Sequence, residues 1–191
     1  MEDKKRDIFN SGKELFSIKG FKDTNIADIT KRAGVAVGTF YNYFASKDKL
    51  FMEIYMEENV KLKHTIMESV NPNDPPLKLI MEFMALNYEG MNANPILKEW
   101  YNREVFIKLE QQFREENGVQ AVDFLFGGVS ELVKQWQADG KMRKDIDVTL
   151  IMAMFSALIN IDTHKEEIGF AYFPQVLEYL TEFVIDGLSV R

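Results

Sequence analysis

The chain has 191 residues, enough for one large or two small domains. Hydrophobic residues make up 46% and charged residues 28%, which supplies a core and lacks the signature of disorder; with no cysteine, disulfides and thiolate zinc or iron–sulfur sites are excluded, as fits a reducing cytoplasm. The net charge of −7 hides a split: residues 1–50 hold 10 Lys+Arg against 7 Asp+Glu and residues 51–191 hold 13 against 23, so only the N-terminal end suits a phosphate backbone.

Met1 to Arg6 lead into a periodic segment without the apolar core of a signal peptide. Ile8, Leu15 and Phe16 predict a first amphipathic helix, closed near Gly20. Thr24 is the expected N-cap of a short second helix that carries Ile26 and Ile29 and stops near Gly34. A third short helix holds Phe40 and Phe44. Ser46 then caps a longer fourth helix with Leu50, Phe51, Ile54 and Tyr55 on one side. The cluster from Asn71 to Pro76 ends that helix, because prolines remove donors and forbid helical continuation. Further helices are predicted near 77–92, 95–116, 118–138, 147–163 and 173–188, with stops at Asn94-Pro95, Gly118, Gly140 and Pro174. Short connections and the absence of period-two β-branched runs make this an all-α bundle.

Two short helices meeting at Ala33-Gly34-Val35 have the spacing of a helix-turn-helix, in which the second helix enters the major groove. Glycine between short helices also occurs elsewhere, so the spacing alone leaves the assignment open. The string from Gly20 to Tyr55, GFKDTNIADITKRAGVAVGTFYNYFASKDKLFMEIY, resembles the DNA-binding domain of the tetracycline-repressor (TetR) family of transcriptional regulators. The matching features are GF-x-x-T, I-A-x-I-x-x-x-A-G-V, G-T-F-Y-N-Y-F and S-K-x-x-L, over roughly residues 6 to 55.

The resemblance implies an N-terminal three-helix DNA-binding domain, residues 1–48, joined through a long fourth helix to a ligand-binding and dimerisation bundle, residues 49–191. By position it implies that Thr24 and Asn25 meet phosphates, that Val37, Gly38 and Asn42 face base edges, and that Thr39, Tyr41, Tyr43 and Lys47 contact the backbone. For the tyrosines, plain packing is the alternative. Ala36 and Val37 depart from the family's usual serine and polar or basic residue, which removes a phosphate hydroxyl and a long base reader. Asn42 can still pair with adenine, and Val37 can touch a thymine methyl.

Val148 to Ile161 is apolar almost all round yet shorter than the ~20 residues of a membrane span, so it reads as a helix buried on every side. With the final helix it offers Met154, Leu158, Phe183 and Val184 as candidates for a homodimer interface, the alternative being an intramolecular core. In the family the middle bundle holds a ligand. Met84, Tyr88, Met91, Trp100, Arg103, Phe106, Phe124 and Trp136 are the candidates here for a small apolar or amphipathic ligand, although core filling is the simpler role for any one of them. Gly127-Gly128 suits a kink or close helix contact. His64 and His164 lack metal-ligand spacing, and no GxSxG elbow, P-loop or catalytic cysteine occurs, so neither metal, cofactor nor catalysis is expected.

The expected function is a ligand-released repressor on a palindromic DNA operator, nucleoid-associated in the cytoplasm. The alternatives are a DNA-binding regulator or nucleoid factor without an inducer, and a helical enzyme or carrier.

Overall fold

In a computed structural model the chain is all-α, and the structure describes residues 2–115, 119–169 and 171–190. The helices are α1 (Glu2–Lys19), α2 (Ile26–Arg32), α3 (Val37–Tyr41), α4 (Lys47–Ser69), α5 (Pro76–Ala93), α6 (Pro95–Lys98), α7 (Arg103–Glu115), α8 (Val119–Ala138), α9 (Val148–Asn160), α10 (Lys165–Ile168) and α11 (Phe173–Leu188). Short 3₁₀ turns follow α6 and α9, at Glu99–Tyr101 and Ile161–His164. Among the described residues the one β feature is an antiparallel bridge between Met142 and Ser189.

Chain packing divides into two units, residues 1–63 with 89–118, and residues 64–88 with 119–191. In the first, Ile8, Phe16, Ile29, Phe40, Leu50, Ile54, Ile96 and Leu97 are fully or almost fully buried. The rings of Phe16, Phe21 and Phe51 form its centre: Phe51 meets Phe16 edge-on at 5.0 Å and lies tilted against Phe21 at 4.8 Å. Gly12 lets α1 approach α4, since an added Cβ would lie 2.7 Å from Leu50 Cδ2. In the second unit, Val133, Trp136, Met142 and Ile151 are buried, and Leu79, Ile80, Phe83, Met84, Val129, Phe155 and Leu158 line a small apolar cavity.

Several boundaries differ from expectation. Asn25, not Thr24, caps α2: Asn25 Oδ1 accepts the Asp28 N–H at 2.8 Å, whereas the Thr24 hydroxyl turns inward and donates to the Gly20 carbonyl at 2.8 Å. The segment expected as one helix over 95–116 breaks at Asn102, whose extended backbone lets its Oδ1 accept the Glu104 N–H. A side-chain acceptor close to its own backbone competes with helix in this way. Helix α9 tightens into a 3₁₀ turn after Asn160 instead of running to 163. Phe44 lies beyond α3 but remains in the core. At Gly128 an added Cβ would come within 3.4 Å of Met67 Cε, a close helix contact; Gly118 lies outside the described residues.

The turn between α2 and α3 is built as the sequence suggests. Val35 N–H donates to the Thr30 carbonyl at 3.0 Å and Gly34 N–H to the Lys31 carbonyl at 3.3 Å, the paired bonds of a Schellman helix end. That ending places Gly34 at φ 67°, in the left-handed region. Beyond its chain neighbours, nothing among the described residues lies within 4 Å of a Cβ added there, so the need for glycine is conformational. Gly34→Ala should therefore lower stability by about 1–2 kcal/mol in urea denaturation. An unchanged midpoint would show that the turn does not hold this conformation.

Candidate nucleic-acid interface

The exposed side of α3 and the residue after it presents Val37, Gly38, Tyr41 and Asn42, spaced i, i+1, i+4 and i+5 on one helical face. Val37 is 46% exposed and Tyr41 56%, high values for apolar and aromatic groups. Phe40 and Phe44 anchor the opposite side in the core, and the Tyr41 ring stands edge-on to Phe40 at 5.4 Å. Thr39 and Tyr43 are half-buried. Ala36 occupies the N-cap of α3 and supplies no side-chain acceptor, so the first turn of this helix is stabilised by no capping bond.

The turn that sets α2 in place is held through both backbone groups of one residue, Phe21. Glu99 Oε1 accepts the Phe21 N–H at 2.8 Å, and Lys47 Nζ donates to the carbonyls of Phe21 and Thr24, each at 2.8 Å. The same ammonium sits 4.2 Å from the centre of the Phe21 ring, with Lys108 Nζ at 5.3 Å and paired to Asp48 at 3.5 Å. Burial pulls the Lys47 pKa below its ordinary value, although Asp48 opposes the shift. Lys47 therefore joins the turn from within, which differs from the free backbone contact expected of it. Thr24 is likewise buried, its hydroxyl committed to Gly20, while Asn25 is exposed and caps α2. Sequence reading missed Glu99 and Lys108 in this role, because their partners lie far off along the chain.

A second set of bonds fastens α1 to α4 and α6. Lys13 Nζ pairs with Glu58 at 2.6 Å and Glu57 at 3.1 Å, and Asn94 Nδ2 donates to Glu58 Oε2 at 2.7 Å. Burial alone would push the Glu58 carboxyl up, but the bonds from Lys13 and Asn94 outweigh it and hold its pKa below the ordinary value.

The ligand candidates are divided between the two units. Met84 lines the apolar cavity of the second unit, whereas Met91 is buried in the core of the first, with Trp100 and Phe106 meeting edge-on at 4.7 Å. Arg103 and Tyr88 are exposed, Trp136 is buried, and the Phe124 side chain lies outside the described residues. Of the dimer candidates, Phe183 is 65% exposed, Met154 and Val184 are half-buried, and Leu158 is only 6% exposed. Leu158 is thus intramolecular core, because its side of α9 closes the cavity. Among the described residues no three His, Cys, Asp or Glu converge as metal ligands, and no helix is long and apolar enough to cross a membrane.

Lys47→Met keeps the apolar stem and removes the ammonium. It should cost about 1.5–3 kcal/mol of stability, the scale of hydrogen bonds to charged groups. It should also weaken DNA binding with little change in salt dependence. A salt slope lower by about 1 would instead assign Lys47 to a phosphate.

The family of bacterial regulatory proteins called tetR matches residues 8–54. The uncharacterised HTH-type transcriptional regulator YdgC of Bacillus subtilis is 33% identical over 195 residues, covering 99% of this chain and 85% of that protein. The fold is similar to that of Thermus thermophilus FadR, a repressor solved with lauroyl-CoA, at a TM-score of 0.68 and 21% identity, over 98% of this chain and 96% of that one. It is also similar to RolR, solved with resorcinol, at a TM-score of 0.69 and 14% identity, over 100% and 89% of the two chains. With its helix-turn-helix, its long α4 and a relative matched along almost its whole length, this chain belongs to the TetR family of transcriptional regulators.

Proposed function

We propose that this regulator is a homodimeric repressor of a near-palindromic operator, with residues 1–48 reading DNA and residues 49–191 serving dimerisation and release by a small molecule. Gly38 carries the DNA-reading half of the proposal. It lies inside a five-residue helix, where glycine is less stable than alanine by about 0.5–1 kcal/mol, and beyond its chain neighbours and its own helix backbone nothing among the described residues lies within 4 Å of a Cβ added there. The missing side chain serves no internal packing. Beside the exposed Val37, Tyr41 and Asn42, it fits the close approach of a DNA groove.

In this reading Asn42 pairs with a base, Tyr41 positions the phosphate backbone, and Asn25, Thr39 and Tyr43 flank them. Gly38→Ala should then raise stability by about 0.5 kcal/mol while lowering DNA affinity. Asn42→Ala should relax the preference at one operator position by about 1–3 kcal/mol, as read by binding selection on randomised duplexes. An identical preferred sequence for Asn42→Ala would refute base reading.

The dimer surface is assigned to the exposed apolar residues of α9 and α11. Leu150, Tyr179 and Phe183 are all more than half exposed, and the Tyr179 and Phe183 rings stack at 6.0 Å. Reading two successive major grooves needs the two α3 helices of a dimer roughly 34–36 Å apart, one turn of DNA. A ligand bound better by a different spacing would release the operator. FadR and RolR, solved with lauroyl-CoA and resorcinol, support a small-molecule effector here. Phe183→Glu should sediment as a monomer with unchanged helical circular dichroism and lose tight operator binding. If it stays dimeric, the interface lies elsewhere.

A further inference from the structure

Tyr55, Asn59 and Lys63 recur every four residues on α4, so they line one face, with neighbouring Cβ atoms about 5–6 Å apart. All three carry polar groups out of water. Tyr55 is buried, Lys63 is only 8% exposed, and Asn59 Oδ1 is buried with no hydrogen-bond partner among the described residues. Such a row is costly unless its groups are matched, and a buried carbonyl oxygen without a donor asks for one. The three residues lie outside both the DNA-facing surface of α3 and the exposed faces of α9 and α11.

The chemistry changes along the row. At its start the Tyr55 ring stacks on Trp100, with centroids 5.7 Å apart and planes at 19°, and Trp100 meets Phe106 edge-on. In the middle stands the Asn59 oxygen. At the end is a lysine whose pKa burial pulls down to about 8, leaving it mostly cationic at neutral pH. Lys63 has an interaction of its own within the chain, but an ammonium has three donor hydrogens and can take a further acceptor. A buried cation also attracts an anion more strongly than the same pair in water.

We propose that the Tyr55–Asn59–Lys63 face of α4 is the polar edge of the effector site, and that its ligand is an aryl hydroxy acid. This deepens the ligand-responsive reading above and rests on it. The ligand ring packs against Tyr55, Trp100 and Phe106, its hydroxyl donates to Asn59 Oδ1, and its carboxylate accepts from Lys63 Nζ. Helical side chains lean toward the N-terminus, which brings a long lysine at 63 back toward residue 59.

Three probes separate the groups: 3-phenyllactate, 3-phenylpropanoate without the hydroxyl, and 3-phenylpropanol without the acid. Calorimetry on the full chain should show 3-phenyllactate binding at least about tenfold more tightly than 3-phenylpropanol, as a charge-assisted bond implies. Lys63→Met should abolish that difference. Lys63→Gln, which keeps a polar head, should do the same and covers the case in which the methionine variant fails to fold. Asn59→Leu should bring 3-phenyllactate down to the affinity of 3-phenylpropanoate. No binding of any probe at millimolar concentration, or a preference for the acid that survives loss of the Lys63 charge, overturns the proposal. So does a hydroxyl preference retained in Asn59→Leu. Release of the selected operator duplex, followed by fluorescence anisotropy, tests the underlying reading separately. An acid that binds through Lys63 without releasing DNA sinks ligand-controlled repression and leaves the site, while release by the neutral alcohol alone does the reverse.

Discussion

Phe21 is the residue on which the DNA-facing helices depend. Its N–H is held by Glu99 and its carbonyl by Lys47, while its ring packs on Phe51 beneath two ammonium groups. A backbone donor and acceptor in a turn must be satisfied by something, and here both partners are charged side chains, which make stronger bonds than neutral ones. The turn leads directly into the Asn25 cap, so its geometry sets the start of α2. The Schellman bonds at Gly34 then set the start of α3. Two local devices thus aim a short helix that has little stability of its own.

That short helix shows a conflict between stability and use. An N-cap without a side-chain acceptor, a glycine in its second position and exposed apolar groups all work against a five-residue helix in water. Phe40 and Phe44 answer this by burying almost completely on the other side. The helix exists because of tertiary packing, and its outer face is left free for another molecule. Local weakness is concentrated on the face assigned to DNA, where a partner can supply what the chain does not.

Ionic bonds bind the start of the chain to a much later segment. Lys13 on α1, Glu57 and Glu58 on α4, and Asn94 at the cap of α6 share one network, and Glu58 is its most enclosed charge. Single exposed ion pairs contribute little, but a carboxylate with both a lysine and an amide donor is largely satisfied where it sits. Glu99 follows α6 directly. The α6 segment and the turn after it therefore hold α4 through Glu58 and the turn before α2 through Phe21, and any displacement of the segment would be felt at both.

The sequence by itself determined the helical class, the break before Pro76, the glycine turn at Gly34 and the opposition of Val37, Tyr41 and Asn42 to Phe40 and Phe44. All of these follow from periodicity, proline and glycine chemistry within a few residues. The family resemblance of residues 6 to 55 was carried by the same stretch. Tertiary structure decided that Lys47 and Thr24 turn inward, that Asn102 interrupts the helix expected over 95–116, and that Leu158 closes a cavity while Phe183 faces out. It also decided that a lysine on α4 is buried. Helical spacing tells which side chains share a face, but not which neighbour covers that face. A hydrogen bond across 78 residues, such as that from Phe21 to Glu99, leaves no local pattern to read because its partners meet only when the chain packs.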